Sequence, residues 1–157
     1  MVDKAAAGSG VPTKIVVGTD GSETAGRAVA KATALAGAVG AELIIVSAYS
    51  SRGPGGVPSA GVTLDSGWVA AAHSVAETTA EEAGKVARDA GVAEVTALAI
   101  SGDPAEALIK VTVDESADLL VVGSKGMQST ARFLLGPIAN KVSRRVPCDL
   151  LIVETSA

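Results

Sequence analysis

Two short segments hold residues whose types and spacing can do chemistry. Gly18-Thr19-Asp20 follows one short apolar run, and Gly123, Lys125, Gly126 and Gly136 follow another in the spacing G-x2-G-x9-G. Glycine lets a backbone bend through positive φ and approach an anion closely. The residues after Gly136 read as a helix start, where free N–H groups and partial positive charge collect. Lys125, Ser129, Thr130 and Arg132 could add side-chain donors. Pro137 is the discordant member: it has neither N–H nor hydroxyl, so only the Gly136 and Ile138 N–H groups remain at that helix start. The Asp20 carboxylate could accept a hydrogen bond from an adenine amino group or a ribose hydroxyl, or help hold a divalent ion. The same residue also suits a turn that caps a helix beginning near Ser22. Taken alone, the glycine spacing is equally what an ordinary strand-to-helix loop would show. Neither G-x4-G-K-[ST] nor G-x-G-x-x-G occurs, which removes the two commonest nucleotide motifs.

Such residues need a frame to bring them together. Apolar runs at Ile15–Val17, Leu43–Ala48, Val95–Ile100, Leu119–Val122 and Leu150–Val153 are short, continuous and rich in β-branched side chains, as in parallel strands covered on both faces. Helical stripes lie between them. One comprises Ala25, Ala28, Val29, Ala32, Leu35 and Ala36; another runs from Trp68 through Ala72, Val75, Ala76, Thr79, Ala83 and Val86 to Ala90, stopped by Gly91. Asp103-Pro104-Ala105-Glu106 has the form of a capping box. Ile138, Val142 and Val146 mark one face of the last helix, with Lys141, Arg144 and Arg145 on the other. Strict strand–helix alternation predicts an α/β fold: one doubly wound, Rossmann-like domain with right-handed crossovers and helices on both faces. Ligands bind such sheets beyond the carboxyl ends of the strands, at the topological switch point. A five-stranded parallel sheet in the order 3-2-1-4-5 would bring Gly18–Asp20 beside Gly123–Gly136. Tyr49–Gly67, rich in Gly, Pro and Ser, reads as a loop on that side, either bordering a pocket or a tolerated insertion.

The totals narrow the classes. A chain of 157 residues with 48 % hydrophobic and 2 % aromatic content builds one core from small and branched aliphatics. Few aromatics and a net charge of −4 argue against nucleic-acid partners. Residues 1–12 read as a loose tail and 13–157 as the domain. The N-terminus lacks the apolar run of about 7–15 residues found in secretory signals. No stretch reaches the ~20 apolar residues of a membrane span. A cytoplasmic, membrane-free protein is expected, consistent with Cys148 as the only cysteine. Cys148 reads as a small buried hydrophobe, His73 as a surface or packing residue, and Trp68 and Phe133 as packing anchors. The Lys141/Arg144/Arg145 cluster reads as a solvated face that could also strengthen the field near a bound phosphate. Asp114, Glu115 and Asp118 form no catalytic pair, and no set of metal ligands is visible.

Together, GTDGSETAGRAVAKATALA (18–36) and GSKGMQSTARFLLGPIANKVSRRVPCDLLIV (123–153) resemble the universal stress protein family, with matching spacing from Lys14 to Val153. The resemblance implies the ATP-binding subfamily, with a five-stranded Rossmann-like sheet and usually a dimer. It maps adenosine recognition onto Gly18, Thr19 and Asp20, and the adenine pocket onto Ala48. It maps the end of the fourth strand and its loop onto Val122, Gly123, Lys125 and Gly126, and the phosphate cradle onto Gly136, Pro137, Ile138 and Ala139. The family motif continues with Ser or Thr after the last glycine, whereas this chain has Pro137, and Ala139 lacks a hydroxyl that some relatives have. That departure moves expectation from ATP, with Mg2+ as its companion, toward AMP, ADP or cyclic AMP. The expected function is a non-catalytic, adenine-nucleotide-binding protein of the stress response. A slow ATPase or autophosphorylating enzyme, using Ser124, Ser129 or Thr130 as acceptor, is one alternative. A nucleotide-free scaffold is another, and a homodimer through strand 148–153 is expected.

Overall fold

Each continuous apolar run forms a parallel strand, and the sheet order is the expected one. The computed structural model describes residues 10–51, 66–125 and 135–155. Within them the elements are β1 (Lys14–Gly18), α1 (Glu23–Val39), β2 (Glu42–Tyr49), α2 (Ser66–Asp89), β3 (Val95–Ser101), α3 (Pro104–Asp114), β4 (Leu119–Gly123), α4 (Pro137–Arg145) and β5 (Asp149–Val153). The sheet runs β3-β2-β1-β4-β5, all parallel. The order reverses at β1, whose Val17 lies between Ile45 of β2 and Val121 of β4.

Two cores cover the sheet. On one face α1 and α2 pack Ala28, Ala32, Ala36, Ala80 and Ala87 against Ile15, Val17, Leu43, Ile45 and Val121. On the other, α3 and α4 pack Leu108, Ile109, Ala139 and Val142 against Val16, Ile44, Val46, Leu120 and Val122. The α1 stripe is buried as the spacing predicts, but that of α2 is turned. Val75 and Val86 are 67 % and 63 % exposed, while Ala76, Ala80 and Ala87 are buried. The helix meets the sheet through alanines, which allow closer approach, and its valines lie one residue round the helix from that seam. Trp68 is also 41 % exposed, so the expectation of a packing anchor fails. Phe133 lies outside the described residues, as do positions 52–65 of the Tyr49–Gly67 loop and most of the N-terminal tail.

Asp118 secures the end of the sheet remote from the strands' carboxyl ends. Its carboxylate accepts the Thr13 N–H at 2.9 Å, the Thr13 hydroxyl at 2.9 Å and the Lys14 N–H at 3.0 Å. Desolvation pushes this carboxyl up, but the hydrogen bonds from Thr13 and Lys14 together outweigh it and hold the group below its ordinary value. Cys148 is half-buried, and desolvation, with Asp149 and Asp118 nearby, pushes its thiol up to about 11. His73 packs edge-on against Tyr49, with ring centroids 5.2 Å apart. Among the described residues no helix is long and apolar enough to cross a membrane.

Candidate functional site

A cavity of about 170 Å³ opens beyond the carboxyl ends of β1 and β4. Gly18, Thr19, Asp20, Ala48, Val122, Gly123, Lys125, Gly136, Pro137, Ile138 and Ala139 all line it. Gly126 lies outside the described residues, with Ser129, Thr130 and Arg132. A wider groove of about 810 Å³ between α1 and α2 has Glu82 as its only charged lining residue among the described residues, so the chemistry concentrates in the smaller cavity.

The β1 side is built by local hydrogen bonds. The Thr19 N–H donates to the Val46 carbonyl at 2.9 Å, tying the β1 exit to β2. The Ser22 N–H donates to Asp20 Oδ1 at 2.9 Å, and the Ala25 N–H donates to Ser22 Oγ at 3.1 Å. Ser22, and not Asp20, is therefore the N-cap of α1, and Asp20 forms the turn before it. A Cβ on Gly18 would stand 3.0 Å from Leu108 Cδ1 of α3, close enough that the leucine side chain would have to shift.

On the β4 side a Cβ on Gly123 would likewise stand 3.0 Å from Thr155 Cγ2 and crowd it. The Gly136 N–H donates to the Ser124 carbonyl at 2.7 Å. It is thus already used, contrary to the expectation that it stays available to a ligand. Gly136 caps α4 without a side-chain hydrogen bond, and Pro137 follows at N1. The N–H groups of Ile138 and Ala139, in the first turn, have no acceptor within the helix by position. Lys125 is 9 % exposed and lines the cavity. Among the described residues no carboxylate forms an ion pair with it, and residues 126–134 contain no acidic side chain. A largely buried lysine that shares a cavity with a helix start lacking a side-chain cap is an arrangement suited to an anion.

The basic face of α4 is solvated, as expected, with Arg144 and Arg145 exposed, and none of its three cations lines the cavity. Lys141 Nζ lies 2.9 Å from Glu106 Oε2 and 3.3 Å from Asp103 Oδ2, and Arg145 also pairs with Glu106. The hydrogen bonds from Arg145 and Lys141 hold the Glu106 carboxyl below its ordinary value. Those cations bind α4 to α3 instead of facing the cavity. Asp103 does cap α3, accepting the Glu106 N–H at 3.1 Å, but the Glu106 side chain turns to α4, leaving the capping box half made.

Sequence reasoning missed Ser22, Thr24, Pro104 and Leu108 in the lining. Ser22 carried a detectable cap signal; Pro104 and Leu108 reach the cavity only through the packing of α3. Among the described residues no group of three or more His, Cys, Asp and Glu is placed to hold a metal.

Comparison with known proteins agrees with this architecture. Residues 12–154 match the model of the universal stress protein family. The chain is 39 % identical over 142 residues to universal stress protein Rv1636 of Mycobacterium tuberculosis, covering 90 % of this chain and 96 % of the relative. A universal stress protein crystallised in complex with cAMP is 36 % identical, with a TM-score of 0.68, covering 93 % of this chain and 99 % of that one. Universal stress protein UspA from Lactobacillus plantarum, at 20 % identity, shares the fold with a TM-score of 0.76, covering 90 % of this chain and 97 % of its own. The chain belongs to the universal stress protein family.

Proposed function

We propose that this protein binds an adenine nucleotide in the cavity between β1 and β4 and serves the stress response as a regulatory binder. The observation that carries the reading is Lys125, largely buried and without a carboxylate partner among the described residues, lining the same cavity as the first turn of α4, which has no side-chain cap. In this reading Gly18, Thr19, Asp20 and Ala48 receive the nucleoside, while Gly123, Lys125, Gly126 and Gly136 form the phosphate end, and residues 13–157 act as one domain. The relative crystallised with cAMP supports an adenine ligand. An occupied Gly136 N–H and the missing Pro137 donor favour AMP or cyclic AMP over ATP. Among the described residues Asp20 is the only carboxylate in the lining, and it already accepts the Ser22 N–H. The described residues therefore offer Mg2+ no protein cage, and an ion would have to enter with a triphosphate. The same lone carboxylate gives little for a general base, which favours binding over ATP hydrolysis or self-phosphorylation.

Calorimetric titration with AMP, cyclic AMP and ATP tests the reading. AMP or cyclic AMP should bind more tightly than ATP, and Pro137→Ser should narrow the gap by roughly tenfold through a restored donor pair. No binding tighter than millimolar by any of the three would overturn it.

A homodimer through strand 148–153 belongs to the same reading. Among the described residues β5 is an outer strand paired only with β4, and Leu150–Val153 are half-buried. Sedimentation as a monomer at all accessible concentrations would dismiss that contact.

A further inference from the structure

Thr155, just beyond β5, is 1 % exposed although it belongs to no strand or helix. Its hydroxyl holds both backbone groups of one residue: Oγ1 accepts the Lys125 N–H at 3.2 Å and donates to the Lys125 carbonyl at 3.1 Å. The Thr155 N–H donates to Ser124 Oγ at 3.1 Å. Its methyl fills the space that a Cβ on Gly123 would invade. Its carbonyl accepts from Arg27 Nη1 of α1 at 3.4 Å. Ser124 in turn accepts the Gly136 N–H on its carbonyl, so the chain of bonds continues from Thr155 to the start of α4.

We propose that Thr155 is a positioning residue of the nucleotide site: it clamps Lys125 by both backbone groups and so directs the ammonium toward the ligand phosphate. The proposal rests on the nucleotide reading above. Valine would fill the same space, so shape alone does not call for threonine; only the hydroxyl can satisfy the Lys125 N–H and carbonyl together. Because the clamp acts on Lys125, it bears on the phosphate and not on the nucleoside end.

Two substitutions separate the hydroxyl from the methyl. Thr155→Val keeps the shape and loses the clamp; Thr155→Ser keeps the hydroxyl. Calorimetry with AMP and with adenosine should show the valine variant losing about tenfold in AMP affinity while adenosine changes by less than about twofold. The serine variant should bind AMP within about threefold of the parent. Amide hydrogen exchange on the nucleotide-free proteins supplies a second measurement, with Lys125 N–H exchanging about tenfold faster in the valine variant only. Equal losses for AMP and adenosine, or a serine variant as weak as the valine one, would overturn the proposal. A parent protein that binds none of AMP, cyclic AMP and ATP tighter than millimolar, yet shows the exchange difference, would overturn the nucleotide reading while leaving the clamp standing. Unchanged Lys125 exchange in a valine variant would overturn the clamp whatever binds.

Discussion

Three helices begin at the cavity, and they begin differently. α1 opens with Ser22 accepting the Ala25 N–H and with Glu23 in its first turn. α3 opens with Asp103 accepting the Glu106 N–H and carries Glu106 itself. α4 opens on Gly136, with no side-chain cap and no acid in the first turn. Anionic or hydroxyl groups already answer the N–H groups and dipoles of the first two. Among the described residues the third has no acceptor for its Ile138 and Ala139 N–H groups, and Lys125 lines the same cavity. The contrast shows how one cavity acquires a polarity: not by a large charge, but by leaving one helix start unanswered.

The largest test of this contrast is to supply the missing acid. Pro137→Glu places a carboxylate at an exposed first-turn position, where it suits the helix dipole but opposes a phosphate. AMP affinity should fall by roughly tenfold to a hundredfold, with thermal stability unchanged or slightly raised. Affinity that survives this change would place the phosphate elsewhere.

The converse change removes an existing cap. Ser22→Ala should cost about 1 kcal/mol in denaturant-measured stability while AMP affinity moves by less than about threefold. A large affinity loss there would mean that Ser22 or the α1 start contacts the ligand, against the contrast drawn above.

The smallest effect concerns a carboxylate remote from the cavity. The folded Asp118 carboxyl titrates below its ordinary value of 3.8, so its contribution is present above that pH and is lost as pH falls through the folded value. Asp118→Asn should therefore lower stability near neutrality and flatten the acid limb of the stability profile. Equal acid sensitivity in both proteins would show that the bonds from Thr13 and Lys14 contribute nothing.

Strands, sheet order and most of the cavity lining were legible in the sequence, because apolar runs and turn residues report local requirements. Val75 and Val86 misled because hydrophobicity outranks size in a stripe, whereas the α2 seam is set by how closely alanine lets the helix approach. The cap fell to Ser22 instead of Asp20 because both residues can cap, and only the backbone decides which one does. Thr155 gave no signal at all: its partners lie 30 and 31 positions earlier and meet it only after β4 and β5 pair. The fate of the Gly136 N–H was hidden for the same reason.

Gly18 and Gly123 look like members of a ligand motif, yet each also forms half of a size-matched pair. Leu108 occupies the room left beside the first, and Thr155 the room beside the second. A side chain at either position would crowd its distant partner, which would have to shift to admit it. What reads along the chain as two motif glycines is, in three dimensions, a pair of close contacts between residues far apart in sequence.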